Sequence, residues 1–320
     1  MTDPGCRRAM HPCVPWAYRP DAPSPYQLLR QEVAMTFFSL DVPDSFVEVD
    51  GVRFAYRRFG AATGTPLVFL NRFRGTMDDW DPLLVDALAE ERTVILFDNA
   101  GIGRSSGMTQ GTVTEMAQAA AAFITAVAQG PVDVIGFSLG GYVAQRLALG
   151  FPELVRRVVL AGTGPGAGEG ILPSKPQVGP LRSAPHMDLA ALRVLFFTES
   201  GAGIRAGDGL WERTHRRADR APEVSTDSFE QQIEAIKYFS TGGDTAYPEL
   251  GRLSHPVLVA NGHDDVMVPT VNSFIMAQRL PNAELVVYPD SGHGFLFQYA
   301  EIFAARVNEF LDRVDERAAA

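Results

Sequence analysis

The chain has 320 residues, 46% of them hydrophobic, which suits one large α/β domain carrying an insertion. Acids outnumber Lys and Arg 38 to 28 for a net charge of −10, which argues against nucleic acid and anionic membrane surfaces as partners, since both call for clustered cations. Apolar runs stay short of the about 18 residues that a membrane span needs, and no signal-peptide core precedes the fold, so a cytoplasmic location is the default expectation.

Residues 1–40 are rich in proline and lack hydrophobic periodicity, so they are expected to form a poorly ordered arm; Met35 is a candidate for the true start, which the sequence leaves open. Both cysteines, Cys6 and Cys13, fall in this arm and read as incidental thiols. The fold then opens with alternating runs on either side of Asp50-Gly51, a hairpin signal, from Ser45 to Arg57. These strands are predicted to form the antiparallel edge of a sheet. Strands follow at Pro66 to Leu70 and Thr93 to Phe97.

The run Val132-Asp133-Val134-Ile135-Gly136-Phe137-Ser138-Leu139-Gly140-Gly141 is the most specific signal in the chain. A buried strand turns through G-x-S-x-G straight into the helix Tyr142 to Leu149, which is the pattern of a nucleophile elbow. A side chain at Gly136 or Gly140 would crowd the turn. Ser138 is left over a helix N-terminus, where the backbone N–H of Leu139 can face a developing oxyanion.

After the strand Val158 to Ala161 comes a glycine-rich linker, Gly162 to Gly168. The α/β alternation then stops until about Glu249. Candidate helices run from Leu189 to Thr198, Gly209 to Ala218 and Asp227 to Phe239. The segment 165–249 reads as a helical cap inserted into a core formed by 45–164 and 250–316. Its aromatics are mostly cap core, with Phe197, Trp211 and Tyr238 as candidate substrate contacts. The cluster Arg213, His215, Arg216, Arg217 and Arg220, diluted by Glu212 and Asp219, reads as a solvated helix face.

Two more strand–loop units complete the chain. Val257 to Gly262 leads into His263-Asp264-Asp265, and Leu285 to Tyr288 leads into Ser291-Gly292-His293. The order is thus Ser138, an acid after a later strand, then His293. A serine hydroxyl needs a histidine to take its proton, and the histidine needs a carboxylate to hold its tautomer. The remaining histidines are scattered, with no second histidine at ligand spacing beside His263, so no metal and no cofactor are expected.

From about Phe46 to Val314 these features resemble the α/β-hydrolase fold, in its capped esterase, lactonase and cofactor-free haloperoxidase-like group. The resemblance implies a mostly parallel central sheet flanked by helices. Its acid motif, G-x-x-D-x-x-x-P, lies on Gly262 and Pro269 and selects Asp265, with Asp264 the near alternative. Its histidine segment matches Gly292-His293-Gly294-Phe295. Its D-x-x-G-x-G-x-S element matches Asp98 to Ser105, a turn that would shape one wall of the site. Relatives carry His-Gly after the third strand, where this chain has Asn71-Arg72. By alignment, Phe73 supplies the second oxyanion N–H. Arg72 either holds a carboxylate-bearing substrate or, with Arg74, points outward into solvent; the outward reading is the ordinary one for surface arginines.

The resemblance implies a serine hydrolase acting on a small or compact apolar ester or lactone through an acyl-enzyme. C–C bond hydrolysis and perhydrolase or haloperoxidase-like activity use the same triad and remain alternatives. So does a non-enzymatic ligand sensor on the same scaffold. Ser138 in place of an aspartate nucleophile argues against dehalogenase and epoxide hydrolase chemistry.

Overall fold

A computed structural model describes residues 37–184 and 186–313. Cys6, Cys13 and Met35 lie outside the described residues. The eight strands are β1 (Ser45–Val49), β2 (Val52–Gly60), β3 (Leu67–Leu70), β4 (Thr93–Phe97), β5 (Val132–Phe137), β6 (Val155–Ala161), β7 (Val257–Gly262) and β8 (Ala283–Tyr288). The helices are α1 (Pro82–Ala89), α2 (Val113–Val127), α3 (Leu139–Gly150), α4 (Val178–Arg182), α5 (Leu189–Phe196), α6 (Gly201–Thr214), α7 (Thr226–Ser240), α8 (Thr270–Arg279), α9 (Phe295–Gln298) and α10 (Ala300–Asp312).

The strands form one sheet in the order β1-β2-β4-β3-β5-β6-β7-β8. The hairpin of β1 and β2 is antiparallel and joins β4 antiparallel, while β4 through β8 run parallel. Asp50 and Gly51 take φ of 49° and 78°, as a two-residue hairpin turn demands. Every residue of β3, β4, β5 and β7 is buried, because helices cover both faces.

Side-chain alternation divides the core in two. Val68 and Leu70 of β3 join Phe123 of α2 and Val143 and Leu147 of α3 on one face. Leu67 and Phe69 join Leu84 and Leu88 of α1 and Phe303 and Val307 of α10 on the other. Each such fully buried side chain contributes roughly 1.5–3 kcal/mol from burial. Among the described residues no helix is long and apolar enough to cross a membrane.

Between β6 and β7 the described residues form α4 to α7 and no strand. Side-chain caps start three of these helices: Asp188 accepts from Ala191 N–H, Ser200 from Gly203 N–H, and Ser225 from Ser228 N–H. The predicted helix at Gly209 to Ala218 is corrected to Gly201–Thr214. Glycines at 201, 203 and 207 disguise its first turns, yet they are needed for packing: a Cβ on Gly207 would press on Arg193 and Phe197 at 3.1 and 3.2 Å.

The basic cluster is also corrected. Arg213 places Nε and Nη2 on the fully buried Asp81 at 2.8 and 2.6 Å. Arg217 lies 3.6 Å from both Asp44 and Asp78, and Arg220 donates to the Asp78 carbonyl at 3.1 Å. Arg57, itself buried, sits 2.7 Å from both Asp44 and Asp78. Only His215 and Arg216 of the cluster are exposed, as expected. Carboxylates distant in sequence draw the others inward.

Residues 37–40, expected within the poorly ordered arm, pack onto the fold. Phe37 and Ser39 are buried, and Ser39 N–H donates to Asp86 Oδ1 at 3.3 Å. Phe38 meets Phe59 edge-on at 5.9 Å, so Phe37 and Phe38 both pack at the start of the described residues.

The turn after β4 hangs on Asp98. Its two carboxylate oxygens accept from Met77 N–H at 2.8 Å and Arg104 N–H at 3.0 Å. Burial nevertheless pushes the carboxyl up to about 7. A raised folded value means that the stability from this group is complete below its ordinary 3.8 and is lost as pH rises through about 7. Carbon-13 NMR of labelled aspartate is expected to show one carboxyl titrating near neutrality, absent from Asp98→Asn. A chain whose aspartates all titrate below pH about 5 would contradict this.

Candidate active site

Strand β5 passes into α3 with Ser138 alone between them. Ser138 takes φ 56° and ψ −116°, a region that costs a non-glycine residue of order 1–3 kcal/mol. The surroundings hold it there. Its N–H donates to Ala161 O at 3.0 Å, and its carbonyl accepts from Gly141 N–H and Thr163 Oγ1, both at 2.9 Å. Gly140 permits the close approach of the neighbouring strand, since a Cβ there would collide with the Leu70 carbonyl oxygen. Leu139 opens α3, so its N–H belongs to the free donors of a helix N-terminus.

His293 stands on the loop after β8 and Asp265 on the loop after β7; both are buried. His293 Nδ1 lies 2.8 Å from Asp265 Oδ2. The other oxygen of Asp265 accepts from Met267 N–H and Val268 N–H, each at 2.8 Å. This turn aims Asp265 inward, whereas Asp264 is exposed and meets His263 at 3.0 Å. The imidazole packs between Phe137, 4.8 Å away, and the edge of Phe196 at 5.4 Å. Gly162, at φ 53°, leaves the space that the ring fills.

Ser138, His293, Phe73 and Arg72 line one narrow crevice, together with Met187 and Phe196 of the helical insertion. Its free space is about 10 Å³, roughly one water. Among the described residues, two larger cavities share its walls. A first, of about 260 Å³, shares Arg72, Met187 and Phe196. A second, of about 520 Å³, shares Arg182 and Met267. Among the described residues no group of three or more His, Cys, Asp or Glu could hold a metal ion.

A sequence-family model described as alpha/beta hydrolase fold matches residues 65–299, which takes in every strand from β3 to β8 and both site loops. The chain belongs to the alpha/beta-hydrolase family. It is similar to a poly(3-hydroxyalkanoate) depolymerase of Ectopseudomonas oleovorans, with 31% identity over 257 residues, 79% of this chain and 87% of that one. A non-heme haloperoxidase of Rhodococcus erythropolis is 30% identical over 280 residues, 82% of this chain and 97% of the relative. Among solved structures, an alpha/beta hydrolase fold protein from Chitinophaga pinensis superposes with a TM-score of 0.75 at 34% identity, covering 85% of this chain and 98% of that one. The chain is an enzyme of the alpha/beta-hydrolase class.

In this alpha/beta hydrolase Asn71 fixes the loop beyond β3. It donates from Nδ2 to Phe97 O at 2.8 Å and accepts from Trp80 Nε1 at 2.7 Å. The outward reading of the two arginines is corrected. Arg72 is 13% exposed, donates to Phe73 O at 2.8 Å and lies 3.2 Å from Asp79. Arg74 lines the first cavity, donates to Ala184 O at 2.6 Å and lies over the Phe229 ring. Burial, aided by the nearby Arg72 charge, lowers the Arg74 value below that of an ordinary guanidinium. Burial also acts to raise Asp79, but Arg72, Arg220 and the Thr76 hydrogen bonds outweigh it and hold that carboxyl below its ordinary value.

Trp211 lines the first cavity, stacked on His215 at 4.1 Å. Phe197 is buried against Gly207 and Gly294 in the packing between α5, α6 and the histidine loop, and borders none of the three spaces. Tyr238 is 48% exposed beside Gly243 and borders none of them either. Arg182 and Met267, which border both the crevice and the second cavity, have no distinguishing pattern in the sequence.

Proposed function

We propose that the enzyme hydrolyses a carboxylic ester or lactone through an acyl-enzyme, with Ser138, His293 and Asp265 as its catalytic triad. The observation that carries this is the positive-φ serine at the strand–helix junction, sharing a crevice with a histidine whose Nδ1 is held by a buried carboxylate. Ser138 Oγ attacks the carbonyl carbon while His293 Nε2 takes its proton. The tetrahedral oxyanion is held by the N–H groups of Leu139 and Phe73. His293 then returns the proton to the departing alcohol oxygen. Water adds to the acyl-enzyme, losing a proton to His293, and the acid leaves as Ser138 regains its proton.

The segment 165–249 acts as a cap over Ser138, a reading supported by Met187, Leu195 and Phe196 in the crevice wall. A fluorophosphonate probe is expected to label Ser138, and a panel of esters and lactones of graded size to be hydrolysed with preference for compact apolar members. Absence of both labelling and turnover would refute the reading. The Rhodococcus relative named a haloperoxidase favours one second reading, in which hydrogen peroxide replaces water at the acyl-enzyme and releases a peracid. Bromination that requires a carboxylic acid and peroxide together would support it.

A further inference from the structure

An ester has two halves, and two cavities flank the Ser138 crevice. Their electrostatics differ. In the first cavity the arginines have partners: Arg72 and Arg220 lie 3.2 and 3.5 Å from Asp79. The second cavity has no Asp or Glu among its described wall residues. Its cations are Arg182 and Lys237, in a chain of net charge −10. Lys237 is 69% exposed and lies 3.9 Å from Glu234, so it belongs to the rim. Arg182 is different. Its Nε is buried and has no hydrogen-bond partner among the described residues.

A buried guanidinium N–H without an acceptor costs stability, and a native fold usually supplies one. Here the position identifies the missing acceptor, because Arg182 borders both the Ser138 crevice and the second cavity. The rest of that cavity is largely apolar, with Ile171, Leu172, Ile233, Ile236 and Met267 in its walls. We propose that Arg182 anchors a carboxylate carried by the substrate on the half that fills this cavity. The substrate class is then a monoanionic ester or lactone, with an apolar body between the scissile carbonyl and the carboxylate. The other cations nearby, Arg72 of the crevice and Lys237 of the rim, lie 3.2 and 3.9 Å from carboxylates, so Arg182 suits one negative charge, and its planar fork suits a carboxylate.

This assignment rests on Ser138 being the nucleophile, and the experiment separates the two. Two matched ester pairs probe the two halves. The first is 4-nitrophenyl butanoate against mono-4-nitrophenyl glutarate, with the carboxylate on the acyl half. The second is phenyl butanoate against 4-(butanoyloxy)benzoate, with the carboxylate on the alcohol half. For at least one pair, Arg182→Gln is expected to lower the anionic-to-neutral ratio of kcat/KM by about 10- to 100-fold, mainly through KM. Arg182→Lys, which keeps the charge but loses the fork, is expected to recover part of that ratio. Should the Gln variant fail to fold, a ratio lowered in the Lys variant relative to the natural enzyme carries the test. Unchanged ratios in both pairs, alongside fluorophosphonate capture at Ser138, would overturn the anchor and leave the hydrolase reading standing. No capture and no turnover in the unaltered enzyme would overturn the hydrolase reading first.

Discussion

Ser138→Ala is expected to reduce ester hydrolysis by about 10⁴-fold or more, with the fold retained. The substitution keeps the Cβ and the positive-φ backbone, whose hydrogen bonds to Ala161, Gly141 and Thr163 all run through main-chain atoms of residue 138. What disappears is the hydroxyl oxygen of the serine that lines the crevice with His293. Residual rate would come from the oxyanion donors and from binding, which the change leaves in place. Circular dichroism and thermal melting would establish that the variant is folded. Folded Ser138→Ala protein with turnover near that of the natural enzyme would sink the acyl-enzyme mechanism.

The second large effect is at the acid. Asp265→Asn is expected to lower kcat by roughly 10³- to 10⁴-fold. The Asp265 side chain makes three short contacts: it accepts from Met267 N–H and Val268 N–H at 2.8 Å, and its other oxygen lies 2.8 Å from His293 Nδ1. The two backbone donors fix which amide atom goes where. The Asn oxygen takes their side and the NH₂ group faces Nδ1. The imidazole then carries its proton on Nε2 and has nothing with which to accept the serine proton. Asp264→Asn, at an exposed carboxylate paired with His263, is expected to stay within about threefold. The reverse order of severity would transfer the acid role to Asp264.

The site is legible in sequence wherever a local backbone geometry imposes a local composition. A strand that turns into a helix without a loop needs small residues around its serine, so Gly136 and Gly140 announce the elbow in the linear chain. The pairing of His293 with Asp265 is less local. The choice over Asp264 depends on a turn whose N–H groups at 267 and 268 pull one carboxylate inward. Composition alone could not express that, and only the resemblance to the family's acid motif, laid on Gly262 and Pro269, pointed to it.

Other features are invisible for a physical reason. Arg213 reads as a surface residue because its neighbours are polar, yet its partner Asp81 lies 132 positions away. The helix at Gly201–Thr214 is masked by glycines whose value lies in close packing, which no propensity scale records. Phe197 and Tyr238 share the composition expected of pocket residues, but one packs between helices and the other faces solvent. Arg182 stands out because its Nε finds no acceptor among the described residues at a place bordering both the crevice and the second cavity, a property of the folded neighbourhood with no counterpart in the linear chain.

The buried pairs that join the insertion to the sheet have a consequence for how the molecule comes apart. Arg213 and Arg217 reach from the segment at α6 to carboxylates that precede β1 or flank α1. Detaching that segment alone would take the guanidinium from the fully buried Asp81, while Asp44 and Asp78 would keep Arg57, and an orphaned buried charge costs about 3–5 kcal/mol. Local opening of this seam therefore carries an added cost, and the two parts are expected to lose structure together. Calorimetry is expected to show one cooperative transition that persists in molar salt, because ions in solution screen desolvated pairs weakly. A separate early transition for the insertion would mean that these contacts do not couple it to the sheet.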